Sequence, residues 1–225
     1  MVKKNLPWIL PLLAVLILAP FTPGIDLAIS HYFYDKETGF STHPFFIFLY
    51  KYGPILAQIV SYLAGIAFIL SFISNKFKTW RRPAACLVLT MAIGAGLIVH
   101  AVLKDNWGRP RPKQSTEFGG NQSFRPFYHP NIFDQPEPSK SFSCGHCSMG
   151  FYFFALALVG KRLHNKALYI SSFLFAIILG ILLSLTRIAQ GGHFFSDTLI
   201  TAVIMWLTAY AIDRWIYSPR MQRFF

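Results

Sequence analysis

Six long apolar runs constrain this chain more than any other feature. They fall at residues 6–22, 54–74, 84–103, 143–160, 168–185 and 196–216. Each is close to the roughly 17–25 residues that an α-helix needs to cross a bilayer. Only 13% of the residues are charged, against roughly 25% in soluble domains. Inside a bilayer every backbone N–H and C=O must be paired within its own segment, which favours helices. The expected fold is therefore all-α: a polytopic six-transmembrane-helix bundle forming one integral membrane domain over residues 1–225. The fourth run is the least uniform, being continuously apolar only from 149 to 160.

The net charge of +12 suggests a polyanion partner until its distribution is followed. Lys3 and Lys4, Lys76 to Arg82, Lys161 to Lys166, and Arg214 to Arg223 gather at alternate ends of the runs. That is the positive-inside pattern for six spans with both termini cytoplasmic, so nucleic acid is not expected as a partner. The N-terminal run resembles a signal peptide but ends Ala-Pro-Phe-Thr-Pro, without a small-residue cleavage site, and is read as a retained first span. Trp8, Trp80, Trp107 and Trp215 fit interfacial belts.

This topology puts the loops after spans one, three and five on the outer face. The loop from 104 to 142 is long and polar, and contains Lys104, Arg109, Arg111, Lys113, Arg125 and Lys140. Positive charge on the outer side opposes the positive-inside bias, and an anionic ligand would account for it. The first outer loop, about 24–53, holds Asp26, Asp35 and Glu37 among aromatics; it is read as an interfacial anchor without chemistry.

Three polar segments share that face. In Lys104-Asp-Asn-Trp-Gly-Arg-Pro-Arg111-Pro112, two Arg-Pro pairs force an extended backbone. Guanidiniums on a stiff segment suit bidentate recognition of phosphate oxygens, although a basic anchor among headgroups would look the same. Ser143-Cys144-Gly145-His146 opens span four. There Gly145 permits close backbone approach, and His146 is placed to give a proton to a leaving oxygen. In Thr186-Arg187-Ile-Ala-Gln-Gly-Gly-His193-Phe-Phe-Ser-Asp197, a helical His193 to Asp197 would put both side chains on one face. A carboxylate so placed can hold one imidazole nitrogen protonated and leave the other free as a base or nucleophile. A helix-end arginine with a capping aspartate is the plainer reading. No carboxylate cluster accompanies these groups, so no metal site and no cofactor are expected. His100, one turn before Lys104, is read as an interfacial histidine or a headgroup contact.

Together the segments resemble the signature of the type 2 phosphatidic acid phosphatase superfamily, KxxxxxxRP, PSGH and SRxxxxxHxxxD. Lys104, Arg111 and Pro112 keep the first spacing. Arg187, His193 and Asp197 keep the third, with Thr186 for the leading serine, and Ser143-Cys144-Gly145-His146 replaces Pro-Ser-Gly-His. The resemblance implies His193 as a nucleophile forming a phosphohistidine, Asp197 as its orienting group and His146 as the acid for the leaving oxygen. Lys104, Arg111, Arg187 and the Cys144-Gly145 turn would bind the phosphoryl oxygens. Cys144 is the departure, since a thiol donates more weakly than the family's serine hydroxyl. Arg109, one Arg-Pro unit short of the motif position, is expected behind the groups that touch phosphate.

The substrate implied is a lipid phosphate or pyrophosphate: lipid A phosphate, undecaprenyl pyrophosphate, phosphatidylglycerophosphate or phosphatidic acid. The long basic loop favours the large, multiply anionic headgroup of lipid A. Metal-independent hydrolysis is expected, in a bacterial inner membrane with the site on the periplasmic face. Two alternatives stand: a lipid phosphotransferase on the same site, and a membrane thiol-disulfide oxidoreductase using Cys144 and Cys147. The second wants another cysteine pair, and only Cys86 remains. A Cys144–Cys147 disulfide that modulates the phosphatase is a further possibility.

Overall fold

A computed structural model describes residues 2–133 and 139–221, with side chains from Asn5 onward. Arg223 lies outside the described residues. The first rod is α1 (Val2–Leu18), a short 3₁₀ turn at Ala19–Phe21, and α2 (Thr22–Tyr32). It runs ten residues beyond the expected end at 22, because Pro20 and Pro23 stand at the openings of new helical segments, where proline is tolerated. Within α1, Pro11 has no N–H for the carbonyl of Pro7, and the Trp206 indole N–H donates to that carbonyl at 2.9 Å.

A small hairpin follows, β1 (Tyr34–Asp35) paired antiparallel with β2 (Gly39–Phe40). Asp35 Oδ1 closes its turn by accepting from the N–H groups of Glu37 and Thr38 at 2.9 and 2.8 Å. The second rod is α3 (Pro44–Tyr52) and α4 (Ile55–Ile73), also longer than expected because Pro54 again begins a new helix. The third is α5 (Arg81–Leu89) continued by a wide π-type helix, Thr90–Lys104. The fourth is α6 (Gly145–Phe151) and α7 (Phe153–Arg162), followed by α8 (Lys166–Ala189) and α9 (Phe195–Ile216).

Five of these six rods are long and apolar enough to cross a membrane, the fourth being the exception. The fourth occupies the centre, contacting α5, α8, α9 and the π-type segment. Its faces meet protein, with Tyr152, Ala157 and Cys147 fully buried, so it does not need the all-round apolarity of a lipid-facing helix. A Cβ on Gly150 would lie 2.6 Å from the backbone of Gly180. The α6–α8 crossing therefore depends on paired glycines, as close helix contacts in membranes do. Leucines and isoleucines stay exposed along α1, α4 and α8, including Leu16, Leu63, Ile69, Leu174 and Ile178. Apolar surface of that extent marks a lipid-facing exterior, and the chain is an integral membrane protein.

The long loop folds back on itself over one end of the bundle. Ser141 N–H donates to the Arg109 carbonyl, and Asn131 N–H to that of Trp107, both at 2.9 Å. At the opposite end Arg162 pairs with Asp213 at 2.6 Å, and both Arg82 and Arg162 lie over the Tyr217 ring.

Candidate active site

His193 is set by the ends of two helices. After α8 the chain turns through Gly191, at φ 61°, a left-handed conformation natural to glycine at a helix C-terminus. Gly192 follows, and a Cβ there would overlap the Arg187 guanidinium, so that guanidinium lies directly on bare backbone. Asp197, in the first turn of α9, accepts from the Phe194 N–H at 2.8 Å, which caps the helix.

His193 is 1% exposed. Its Nδ1 is 2.5 Å from the Ser141 carbonyl oxygen and 3.7 Å from Asp197 Oδ2. A carbonyl only accepts, so Nδ1 carries the proton and Nε2 keeps its lone pair. Asp197 acts on the ring partly through Ser141, whose hydroxyl donates to Oδ2 at 2.6 Å. Burial pushes His193 down to about 4, against the upward pull of Asp197. The ring is neutral near pH 7, with a lone pair available on Nε2.

Behind this pair lies a buried ionic network that sequence reasoning only half anticipated. Arg109 is fully buried; it donates to Asp197 Oδ1 at 2.5 Å, Ser196 Oγ at 2.8 Å, Asp26 Oδ2 at 2.8 Å and the Arg125 carbonyl at 2.8 Å. Its guanidinium also stacks 4.5 Å from the Phe194 ring centroid. Asp26, to which the sequence assigned no chemistry, accepts the N–H and hydroxyl of Ser196 at 2.7 and 2.6 Å. Its signal was an ionisable residue within a continuous 28-residue apolar helix, a placement that usually marks function; ending the span at 22 hid it.

The cations gather in front of His193. Lys104 ends the π-type segment and Arg111 sits on the extended backbone expected of an Arg-Pro pair, at φ −79° and ψ 157°. Arg187 donates to Gln190 Oε1 at 2.7 Å. Lys104 lies within electrostatic reach of Arg111 and Arg187, and His146 within reach of Arg187, His193 and Lys104. The Nε atoms of Arg111 and Arg187 are buried and without a hydrogen-bond partner. Buried donors left unpaired are costly, and clustered like charges more so; an oxyanion would relieve both.

Tyr50, not anticipated, organises this group. Its ring stacks on His146 at 4.3 Å and 16° and receives the Arg187 guanidinium at 4.7 Å. Gly145 opens α6 against His100, where a Cβ would stand 2.5 Å from Nε2; His100 itself faces the carbonyl of Ala95 at 2.8 Å through Nδ1.

Cys144 is a correction. It is bridged to Cys147, is fully buried, and gives its N–H to Thr201 Oγ1 at 3.0 Å. A disulfide sulfur has no proton to donate, so neither its side chain nor its amide is free for phosphate. Cys86, the remaining cysteine, is buried beside Asp213 at the far end of the bundle. Among the described residues no group of three or more His, Cys, Asp or Glu side chains could hold a metal ion.

The PAP2 superfamily model matches residues 83–220. A lipid A 4'-phosphatase of Francisella tularensis subsp. novicida (strain U112) is 31% identical over 208 residues, covering 88% of this chain and 89% of the relative. A lipid A 4'-phosphatase of Rhizobium leguminosarum is 34% identical over 124 residues, or 55% of this chain and 48% of the relative. No solved structure matches the chain. The matched region carries His193, His146, Asp197 and all the clustered cations, and with this extent of agreement the chain belongs to the PAP2 superfamily.

Proposed function

We propose that this membrane phosphatase hydrolyses a phosphate of lipid A through a phosphohistidine on His193, without a metal ion. The observation that carries the reading is the tautomer of His193: Nδ1–H is tied to the Ser141 carbonyl, leaving Nε2 as the lone pair beside unpartnered donors of Arg111 and Arg187.

The phosphate monoanion enters among the cations and passes its proton to His146; Nε2 attacks phosphorus, the bond to the lipid oxygen breaks, and His146 gives that oxygen the proton. Asp197 and Ser141 stabilise the imidazolium as the ring becomes cationic. Lys104, Arg111 and Arg187 meet the charge spread over the equatorial oxygens, a role that metal ions fill elsewhere. Water, giving a proton to His146, then attacks the phosphohistidine; inorganic phosphate leaves and the lone pair returns to Nε2. Lipid A is chosen over other lipid phosphates because the 31%-identical relative, aligned over 88% of this chain, is a lipid A 4'-phosphatase.

The basic residues Arg81, Arg82, Arg162 and Arg214 lie at the end of the bundle away from His193. The positive-inside bias supports a cytoplasmic position for that end and, with it, a site on the periplasmic face of an inner membrane. The test is phosphate release by the purified protein in detergent with EDTA, across lipid A, undecaprenyl pyrophosphate, phosphatidylglycerophosphate and phosphatidic acid. Preferred release from lipid A that vanishes in His193→Ala is expected. Release that requires a metal, or survives loss of His193, overturns the mechanism; preference for another lipid overturns the substrate.

A further inference from the structure

A cavity of about 570 Å³ opens beside the phosphate group and shares Arg187 with it. Its walls are the rings of Tyr34, Phe40 and Phe118, and its polar groups include Lys113 and Gln190. The size is that of a small-molecule site, and the lining has the usual character of one: mostly apolar with a few placed polar groups.

The cavity is attached to the catalytic turn. Ser41 N–H donates to the Ala189 carbonyl at 3.0 Å, and Lys113 N–H donates to the Gly191 carbonyl at 3.2 Å. A Cβ on Gly191 would overlap the Phe40 ring, so the ring rests on the backbone two residues before His193. The three aromatics hold each other, with ring centroids 5.2–5.4 Å apart. The wall is thus built in advance of any ligand, at a fixed distance from the nucleophile. The Lys113 side chain is exposed and makes no hydrogen bond or ion pair among the described residues.

We infer that this cavity is the leaving-group subsite and takes the phosphorylated pyranose of a glycolipid, the sugar face lying on the aromatic wall. Lys113 donates to the oxygens of the sugar or its acyl substituents. The inference rests on the lipid A reading and deepens it. A pyranose has apolar C–H faces and a polar rim, which suits aromatic walls edged by donors. Glycerol or a polyprenyl chain offers no such face, so the same cavity would discriminate against phosphatidic acid and prenyl pyrophosphates.

The test uses the full-length protein in detergent, comparing wild type, Lys113→Ala and Phe40→Leu. Two quantities are read: KM for lipid A, and the inhibition constant of inorganic phosphate against that reaction. Lys113→Ala is expected to raise KM for lipid A about 10-fold, the scale of one lost charge-assisted contact, and Phe40→Leu about 3- to 10-fold, the scale of one lost aromatic face, while phosphate inhibition stays within about twofold in both. Inhibition weakening in parallel would make Lys113 part of the phosphate group and overturn the subsite. An unchanged KM in Lys113→Ala and Phe40→Leu would overturn it as well. If wild type releases phosphate from phosphatidic acid but none from lipid A, the substrate reading has failed, and the sugar subsite with it.

Discussion

Replacing Arg109 by methionine tests the buried network quantitatively. The side chain is fully buried and its four hydrogen bonds join Asp26, Ser196, Asp197 and the Arg125 carbonyl. Methionine fills comparable space but leaves Asp26 and Asp197, both 0% exposed, without their counterion. Removing one partner of a buried ion pair costs about 3–5 kcal/mol. Asp26 keeps the Ser196 donors and Asp197 keeps those of Phe194 and Ser141, so the loss falls near the lower limit, about 3 kcal/mol. For a chain of this size that is a fall of about 6–12 °C in Tm, read by thermal unfolding in detergent. Adding Asp26→Asn to Arg109→Met removes one orphaned charge, so the double variant should be less destabilised than the two single losses combined by about 1 kcal/mol or more. Arg109→Lys should not rescue, because one ammonium cannot reach acceptors arranged around a fork. Additive losses in the double variant, or a wild-type Tm for Arg109→Met, would refute the network.

The clustered cations should behave in the opposite way. Arg111→Ala relieves repulsion with Lys104 and removes a buried unpaired donor, so it should leave Tm unchanged or raise it while kcat/KM falls at least about 100-fold; a marked loss of stability would contradict this. Burial holds His193 at about 4, below its ordinary 6.5. The ring therefore stays neutral through pH 5–8, and kcat/KM should keep its His193-dependent acid limb below about pH 5. The sign for stability follows: above pH 6.5 folded and unfolded rings are both neutral, and between 6.5 and 4 the unfolded chain takes the proton first, so Tm should fall with pH there. An acid limb set by His193 at its ordinary value would refute the burial effect. Tyr50→Ala removes the platform under both His146 and Arg187 and should lower kcat about 10-fold or more, whereas Tyr50→Phe, which keeps the ring, should stay within about threefold; equal losses would show that the hydroxyl matters rather than the ring.

Much of the site could be read from sequence because its parts lie at fixed local spacings. The Arg-Pro backbone at Arg111, the turn at Gly191 and Gly192, and the helical register of His193 and Asp197 are all decided within a few residues. Arg109 was noticed but its partners were not, since they come from α2 and α9, 83 and 88 positions away. Asp26 was lost with the misplaced end of the first span: Pro20 and Pro23 read as a break, while the chain reuses them to start helices. Tyr50 carries no local pattern at all; it becomes important only because α3 packs on α8. The fourth rod was the hardest span to delimit because its neighbours, rather than lipid, surround it. Cys144 fits the motif position by order, yet its bridge to Cys147 turns it from a ligand into part of the frame that presents His146.

The most direct measurement of the central claim is the phosphoenzyme itself. Wild-type protein mixed with radiolabelled lipid A phosphate, quenched in alkali within one turnover and digested, should yield a phosphopeptide carrying an acid-labile, base-stable phosphate on His193. His146→Ala lacks both the acid for the leaving oxygen and the group that activates water, so it should form and lose the intermediate slowly, with any label at long quench times still on His193. Label on another residue, or turnover of lipid A with no labelled histidine at any quench time, would contradict the account.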